Sequence, residues 1–231
     1  MVQSSYIPWK GYFDMLLQAD LFVFYDDVQY TKDDWRNRNR IKTKDGPQWL
    51  TIPCGAPRDR LICDVRIESD YWQRKHWQAI RHAYAGCDGL EQYTDFFEEL
   101  YLGRRWESLS ELNQTWTRRI ATELLGATTQ FADSRDYAVD SSLTKDDRWL
   151  AMLQEIGATR FLIGPKAKDY LTEEREQEIA GHGIELHWMR YDDYPEYPQR
   201  HPPFVHQVSV LDLLFHVGDR AIDYIRPAEA R

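Results

Sequence analysis

Val2-Gln-Ser-Ser-Tyr-Ile-Pro-Trp-Lys-Gly-Tyr-Phe-Asp-Met-Leu-Leu-Gln-Ala-Asp-Leu-Phe-Val-Phe-Tyr25 is the stretch on which the fold turns. Val2 to Tyr6 reads as a short first strand. From Gly11 to Ala19, Phe13, Leu16 and Leu17 fall on one side of a 3.6-residue period, which predicts a helix. Leu21 to Tyr25 is an apolar run of strand length, of the kind a sheet buries on both faces. Strand, helix, strand opens a βαβ unit, so the chain is expected to be an α/β protein.

Outward from this start, Trp49 to Cys54 reads as a strand and Gly55 to Asp59 as a turn. Leu61, Cys63, Val65 and Ile67 alternate with Ile62, Asp64, Arg66 and Glu68, which predicts a half-buried strand pairing with the one before it. The middle is helical: Trp72, His76, Ala79, Ile80 and Ala83 share one face, and Leu112, Trp116, Ile120 and Leu124 another. Ser108 with Glu111 has capping-box spacing. Strand and helix then alternate again, with strands over Arg160 to Ile163 and Ile184 to Tyr191 and helices from Thr144 to Ile156 and Thr172 to Ala180. A proline-rich loop covers Asp192 to Gln207, and Ser209 to Val217 is a last helix. The simplest architecture is one domain over 1–231. Both ends would build a mostly parallel sheet, with the helices of about 69–125 inserted as a cap.

The chain has 231 residues and a formal net charge of −9. That charge gives no general attraction to nucleic acid or to an anionic membrane. No apolar run is long enough to span a bilayer, so no membrane insertion is expected. The start lacks the basic and apolar regions of a signal peptide. Cys54, Cys63 and Cys87 are an odd number without metal spacing, which fits reduced thiols in the cytoplasm. The histidines show no metal-ligand spacing either, so no metal site is expected.

Four constellations carry chemistry. Tyr6, Trp9 and Tyr12 surround Gly11 where strand meets helix, the place at which open α/β sheets bind ligands. Gly11 would let a ligand approach the backbone; the plainer reading is a tight turn with aromatic packing. Asp26, Asp27 and Gln29 follow the second strand, where paired carboxylates suit a general base. Arg36, Arg38, Arg40 and Lys42 alternate with Asn37, Asn39 and Ile41. Extended, they line one face. Four cations in a row repel one another unless an anion joins them, and the arginine fork fits phosphate. An edge strand charged against aggregation is the plainer reading. The Gly164-Pro165 turn could present N–H groups to an anion, though it lacks the spacing of a Walker motif and a simple strand-to-helix turn explains it. Lastly, Gln199 and His206 precede Ser209 and Asp212. The latter two have capping-box spacing, but Gln199 and His206 have no such role. His206 could accept a proton near neutral pH.

These stretches, in this order, resemble the WbqC-like protein family. The resemblance rests on Gln3, Ser5-Tyr-Ile-Pro-Trp9, Gly11-Tyr-Phe13, Asp26-Asp-Val-Gln29, Trp35-Arg-Asn-Arg-Asn-Arg-Ile-Lys42, Trp49-Leu-Thr-Ile-Pro53, Tyr197-Pro-Gln199 and Ser209-Val-Leu-Asp212-Leu-Leu-Phe. It implies a bacterial protein of O-antigen or other surface-polysaccharide biosynthesis. The implied chemistry is transfer of an acyl or aminoacyl group, such as glycyl, to the amine of a nucleotide-linked amino sugar. Ile163 departs from the small polar residue expected before Gly164.

On this reading Arg36, Arg38 and Arg40 hold the diphosphate. Tyr6, Trp9 or Tyr12 packs on the sugar or base, and Gln29 and Gln199 join the substrate site. Asp26, Asp27 or His206 deprotonates the ammonium, and the Gly164 turn faces the oxyanion. No bound cofactor is called for. The activated donor is a thioester, an acyl-adenylate or a charged tRNA, and a homodimer is left open. Two other classes compete: a non-catalytic scaffold of a polysaccharide assembly complex, and a nucleotidyl-transfer enzyme.

Overall fold

The N-terminal helix forms where its period predicts. Trp9 is its extended N-cap, Pro8 lies just before it, and helix α1 runs Lys10–Gln18. In the computed structural model, which describes residues 1–55, 59–140 and 142–226, the elements then follow in order. They are β1 Leu21–Phe24, β2 Arg38–Thr43, β3 Gly46–Thr51, α2 Tyr71–Ala83, α3 Asp88–Leu102, α4 Leu109–Arg119, β4 Gln130–Asp133, α5 Lys145–Ile156, β5 Arg160–Ile163, α6 Glu173–Gly181, β6 Glu185–Trp188, α7 Val210–Val217 and α8 Ala221–Ile225.

The α/β class holds, with parallel pairing of β5 with β6 and a parallel bridge from Val2 to Phe24. The continuous sheet does not form. Strands pair two by two, β1 with β4, β2 with β3 and β5 with β6. The predicted first strand shrinks to the Val2 bridge, because Ser4 N turns to the Asp26 side chain instead of to a neighbouring strand. The pairing of the second ribbon also differs. β3 joins β2 in an antiparallel hairpin, with Arg40 opposite Trp49 and Thr43 opposite Gly46. Gly46, at φ 104°, supplies the conformation that the tight turn needs. The segment expected to be its partner instead makes a 3-10 turn at Ile62–Asp64. The turn breaks the expected alternation: Ile62 is buried and Leu61 exposed, while Val65 and Ile67 are buried. The centre of the predicted Gly55 to Asp59 turn lies outside the described residues.

Two compact units result, Met1–Phe131 with Tyr194–Arg231, and Ala132–Asp193. In the first, α2, α3 and α4 share one core with the N-terminal segment and α7. The helices over 69–125 are thus part of that core. Gly89 explains how α3 meets α7: a Cβ there would sit 2.3 Å from Leu214 O. Ser108 caps α4 by accepting from Glu111 N, as its spacing predicts.

The two ends of the chain converge in this unit. Ser209 N donates to Arg40 O at 2.8 Å and Val210 N to Pro8 O at 2.9 Å. The Asn39 side chain donates to Tyr6 O and Ile7 O at 3.0 and 2.9 Å. That grip holds Ile7 at φ 36°, a conformation unfavourable for a β-branched residue. In the second unit, Thr144 and Thr172 cap α5 and α6, and Gly157 ends α5 at φ 70°. Among the described residues no helix is long and apolar enough to cross a membrane.

Candidate functional site

A buried lysine marks the site. Lys10 opens α1 yet is 2% exposed. An ammonium at a helix N-terminus opposes the helix dipole, and burial strips its water. Nζ donates to Pro195 O at 3.1 Å and lies 4.9 and 5.4 Å from the ring centroids of Tyr194 and Tyr197. Among the described residues it forms no ion pair within 4 Å. Burial pushes its pKa down to about 8, against the upward pull of Asp212 and Glu196.

Asp212 organises the surrounding segment. It is fully buried on α7. Tyr84 OH donates to Oδ1, and Tyr197 OH and Gln199 Nε2 donate to Oδ2. The expected capping box is therefore half right. Ser209 caps α7 by accepting from Leu211 N. The Asp212 carboxylate instead reaches across to tie the proline-rich loop to α2, because two tyrosine hydroxyls and an amide outcompete the local cap. His216, one turn on, accepts from Arg200 N at 3.0 Å through Nε2, so Nδ1 carries the proton and faces Asp212 O at 2.6 Å.

Gln199 and His206 come together through this network. Gln199 exchanges two bonds with Val205, accepting from its N–H at 2.8 Å and donating to its carbonyl at 3.1 Å. Its amide is thus engaged within the protein, where it fixes the loop. His206 stacks edge-on against Phe204, with centroids 4.6 Å apart. Its Nδ1 is buried with no hydrogen-bond partner. Burial, then the charge of Lys10, lowers its pKa below the usual 6.5, opposed by Glu196. The imidazole is therefore neutral at pH 7, with a lone pair or a proton to give at Nδ1.

The carboxylates after β1 behave differently. Asp26 is fully buried. Ser4 N donates to it at 2.8 Å, and Ser110 Oγ and Gln114 Nε2 supply its second oxygen. Asp26 braces the N-terminal segment and shares no hydrogen-bond partner with His206. Helix α1 explains the separation. Lys10 and Asp14, four residues apart, face the returning segment, where Tyr194 OH donates to Asp14 at 2.6 Å. Tyr12 faces away, donating to Gln3 O at 3.3 Å and packing on Phe22 at 5.4 Å. Asp27 is half-buried and Gln29 exposed, bridging to Leu61.

Tyr6 lies in the core. It is wholly buried, with its hydroxyl 2.9 Å from His76 Nδ1 and 2.7 Å from Tyr101 OH, among Trp72 and Trp116. Aromatic packing outweighed its place in the strand-to-helix turn. The space expected for a ligand at Gly11 is occupied by the Trp9 indole, 2.3 Å from where a Cβ would stand. Trp9 itself stays half-exposed, edge-on to Tyr194.

The basic row divides. Arg36 turns to Gln3 Oε1. Lys42 is buried and donates to Pro203 O at 2.6 Å. Arg38 and Arg40 remain on the outer face of the hairpin beside Trp35 and Trp49. Arg40 also donates to Gln207 O at 2.8 Å, one residue from His206. Gly164 begins a 3-10 turn in the second unit. Among the described residues, no three His, Cys, Asp or Glu side chains group as metal ligands. Cys54 is buried, and burial raises its pKa to about 12, so it is not an activated thiol.

Lys10 and Asp212 were the residues that sequence reasoning missed. Lys10 fell just before the helix expected from Gly11 and was given no role, and Asp212 had a capping explanation. The signal that could have found Lys10 is its position at a helix N-terminus, where a cation is disfavoured.

The class these features define is an α/β protein whose ends meet around a buried lysine, a hydrogen-bond-deficient histidine and a basic hairpin. The chain belongs to the WbqC-like protein family, whose model matches residues 3–224. It is 39% identical over 228 residues to the uncharacterized protein Rv1507c of Mycobacterium tuberculosis (strain ATCC 25618 / H37Rv), covering 98% of this chain and 96% of that protein. No solved structure matches the chain.

Proposed function

We propose that the protein transfers an acyl or aminoacyl group to the amine of a nucleotide-linked amino sugar, in the cytoplasmic stage of bacterial surface-polysaccharide synthesis. The observation that carries this reading is His206 Nδ1, buried without a partner beside Lys10. Amine acylation needs a group that accepts a proton and a positive charge near the developing oxyanion. In the proposed step the neutral amine attacks the donor carbonyl and the C–N bond forms. The carbonyl π pair moves to oxygen, toward the Lys10 ammonium. His206 takes the amine proton and the donor's leaving group departs as the carbonyl re-forms. Asp27 stays half-buried and is the second candidate base. Gly164 enters no step.

The test is direct. The protein is incubated with nucleotide-linked amino sugars and each donor class: acyl thioester, aminoacyl-adenylate and charged tRNA. Mass spectrometry of the acceptor reads the added group. A mass gain that depends on His206 is the expected result. No mass gain with any donor, together with unchanged thermal stability in the presence of every acceptor, would sink the reading. Stable binding without transfer would move it to the scaffold class.

A further inference from the structure

The outer face of the β2–β3 hairpin carries two tryptophans that packing does not require. Trp35 is 38% exposed and Trp49 42% exposed. Their ring centroids are 5.4 Å apart, with the planes inclined by 37°. Arg38 Cζ lies 4.4 Å from the Trp49 ring centroid. Arg40 Cζ lies 5.3 Å from Trp49 and 5.7 Å from Trp35. The register makes this arrangement. Arg40 stands opposite Trp49 and Arg38 opposite Thr51, so all four project from one face of the ribbon.

Arg104, Arg119, Arg135 and Arg175 each pair with a carboxylate. Among the described residues neither Arg38 nor Arg40 forms an ion pair, although acidic groups outnumber basic ones 38 to 29. Arg60 and Arg200 also lack a carboxylate, but they spend their forks on backbone carbonyls of neighbouring turns. A surface reading is available: an exposed arginine stacked on an indole is mildly stabilising without any ligand. It explains one stacked pair. It leaves two guanidinium forks side by side with no acid, and two indoles exposed at the same spot.

We propose that Trp35, Arg38, Arg40 and Trp49 form a nucleotide-binding platform, with the arginine forks taking the phosphates and the indoles taking the base. A planar guanidinium held against an indole has its fork fixed in advance, which suits bidentate phosphate recognition. Indole faces take a flat ring whatever its sequence. A nucleotide presents both features. A neutral glycan offers no charge and an acidic peptide no flat ring. A long polyanion would need a track of cations. Here Arg36 turns to Gln3, Lys42 is buried and Arg40 gives one Nη to Gln207 O, so only the Arg38 fork and the other Nη of Arg40 stay outside.

The platform lies beside the proposed reacting centre, since Arg40 bonds Gln207 O and its own carbonyl accepts from Ser209 N. Resting on the transferase reading, it would hold the nucleotide half of the acceptor and direct the amino sugar toward His206.

Calorimetric titration tests the platform without any turnover. The probes are UDP, dTDP, GDP and ADP, with inorganic pyrophosphate, uridine and a single-stranded RNA hexamer as controls. At least one nucleoside diphosphate should bind. Arg38→Ala and Arg40→Ala should each weaken it at least about tenfold, as expected for a charge-assisted contact. Trp35→Ala and Trp49→Ala should weaken nucleotide binding about fivefold or more while leaving pyrophosphate unchanged. Arg38→Lys keeps the charge and guards against misfolding; it should fall between wild type and alanine.

Absence of binding by all four nucleotides overturns the proposal. So does binding that none of the variants alters, and so does RNA hexamer binding far tighter than any nucleotide. The transferase reading fails separately. Platform-dependent binding with no acyl transfer leaves the platform standing alone. Transfer that ignores all four substitutions leaves the enzyme standing without the platform.

Discussion

Two buried carboxylates in the first unit look alike in burial and differ in what surrounds them. Asp26 and Asp212 are both fully buried and both collect several donors. Around Asp26 the donors come from Ser4, Ser110 and Gln114, Gln114 also donates to Ser110, and the atom left without a partner nearby is an amide oxygen, Asn113 Oδ1, which takes up no proton at neutral pH. Around Asp212 the same kind of closure ends at an edge. Gln199 and the two tyrosines are consumed, but Lys10 has one carbonyl partner and His206 Nδ1 has none. The difference teaches how to separate a structural polar cluster from a chemical one. Charge and burial do not discriminate; unfilled hydrogen-bond capacity beside a mobile proton does.

The sharpest way to break the comparison is to substitute one residue on each side. His206→Gln keeps size and hydrogen bonding but removes the base. We expect transfer to fall about 10²–10⁴-fold, with stability changed by under about 0.5 kcal/mol. Single-turnover rates across pH check this, and a rate within a few-fold of wild type at every pH moves the role to Asp27. Asp26→Ala should do the reverse. It strips three donors of a charged acceptor and should cost on the order of 3 kcal/mol in urea unfolding. Transfer per folded molecule should persist. A stable Asp26→Ala protein with no activity would put Asp26 back among the catalytic groups.

The sequence made one half of this legible. The helix periods of α1, α2 and α4, the caps at Ser108, Thr144 and Thr172, and the meeting of the two ends all followed from spacing and turn chemistry. Asp26 was selected for its position after a strand, but its closure depends on Ser110 and Gln114 more than 80 residues away. Local sequence cannot reveal that. Asp212 was hidden by the opposite error, because a local cap explained it well enough to stop the search. The hairpin partner of β3 was missed because the β2 segment, rich in arginine and asparagine, carries little of the apolar pattern that marks strands. Its Asn37 and Asn39 face inward and bond backbone carbonyls.

A smaller effect distinguishes the closed side by pH. His76 is buried beside Tyr6, and burial, with Lys75, lowers its pKa to about 3, against a backbone bond that raises it. Its folded value lies below the unfolded one of about 6.5. Between these values the unfolded chain binds a proton that the folded chain refuses. Stability is therefore full above about pH 6.5 and falls as pH drops toward 3, at up to about 1.4 kcal/mol per unit. Urea midpoints from pH 7 to 4 should show this slope in wild type. His76→Phe should flatten it, and an unchanged slope would show that other groups carry the acid sensitivity.

The smallest effect is on the open side, and its sign is the informative part. At Lys10 the folded pKa of about 8 lies below the ordinary lysine value of 10.5, with burial as the leading cause. At pH 7 both folded and unfolded chains carry the ammonium, so the cost of burying it is fully present. As pH rises past 8 the folded chain sheds the proton while the unfolded chain keeps it, and the cost is relieved up to about 10.5. Lys10→Met should therefore raise stability at pH 7, and the gain should shrink between pH 8 and 10.5. Loss of the bond to Pro195 O and of the cation–π contacts offsets part of the gain, leaving about 1–2 kcal/mol. A thioether is well received between Tyr194 and Tyr197, since sulfur packs favourably on aromatic rings. Burial is the main cause of the lowered His206 pKa and the Lys10 charge the second, so the same substitution should move the His206 titration part of the way up toward pH 6.5. A stabilised, inactive Lys10→Met protein with a shifted His206 titration by NMR would mark a residue retained for chemistry at the expense of the fold. A destabilised variant whose His206 titrates as before would return Lys10 to the closed, structural side of the comparison.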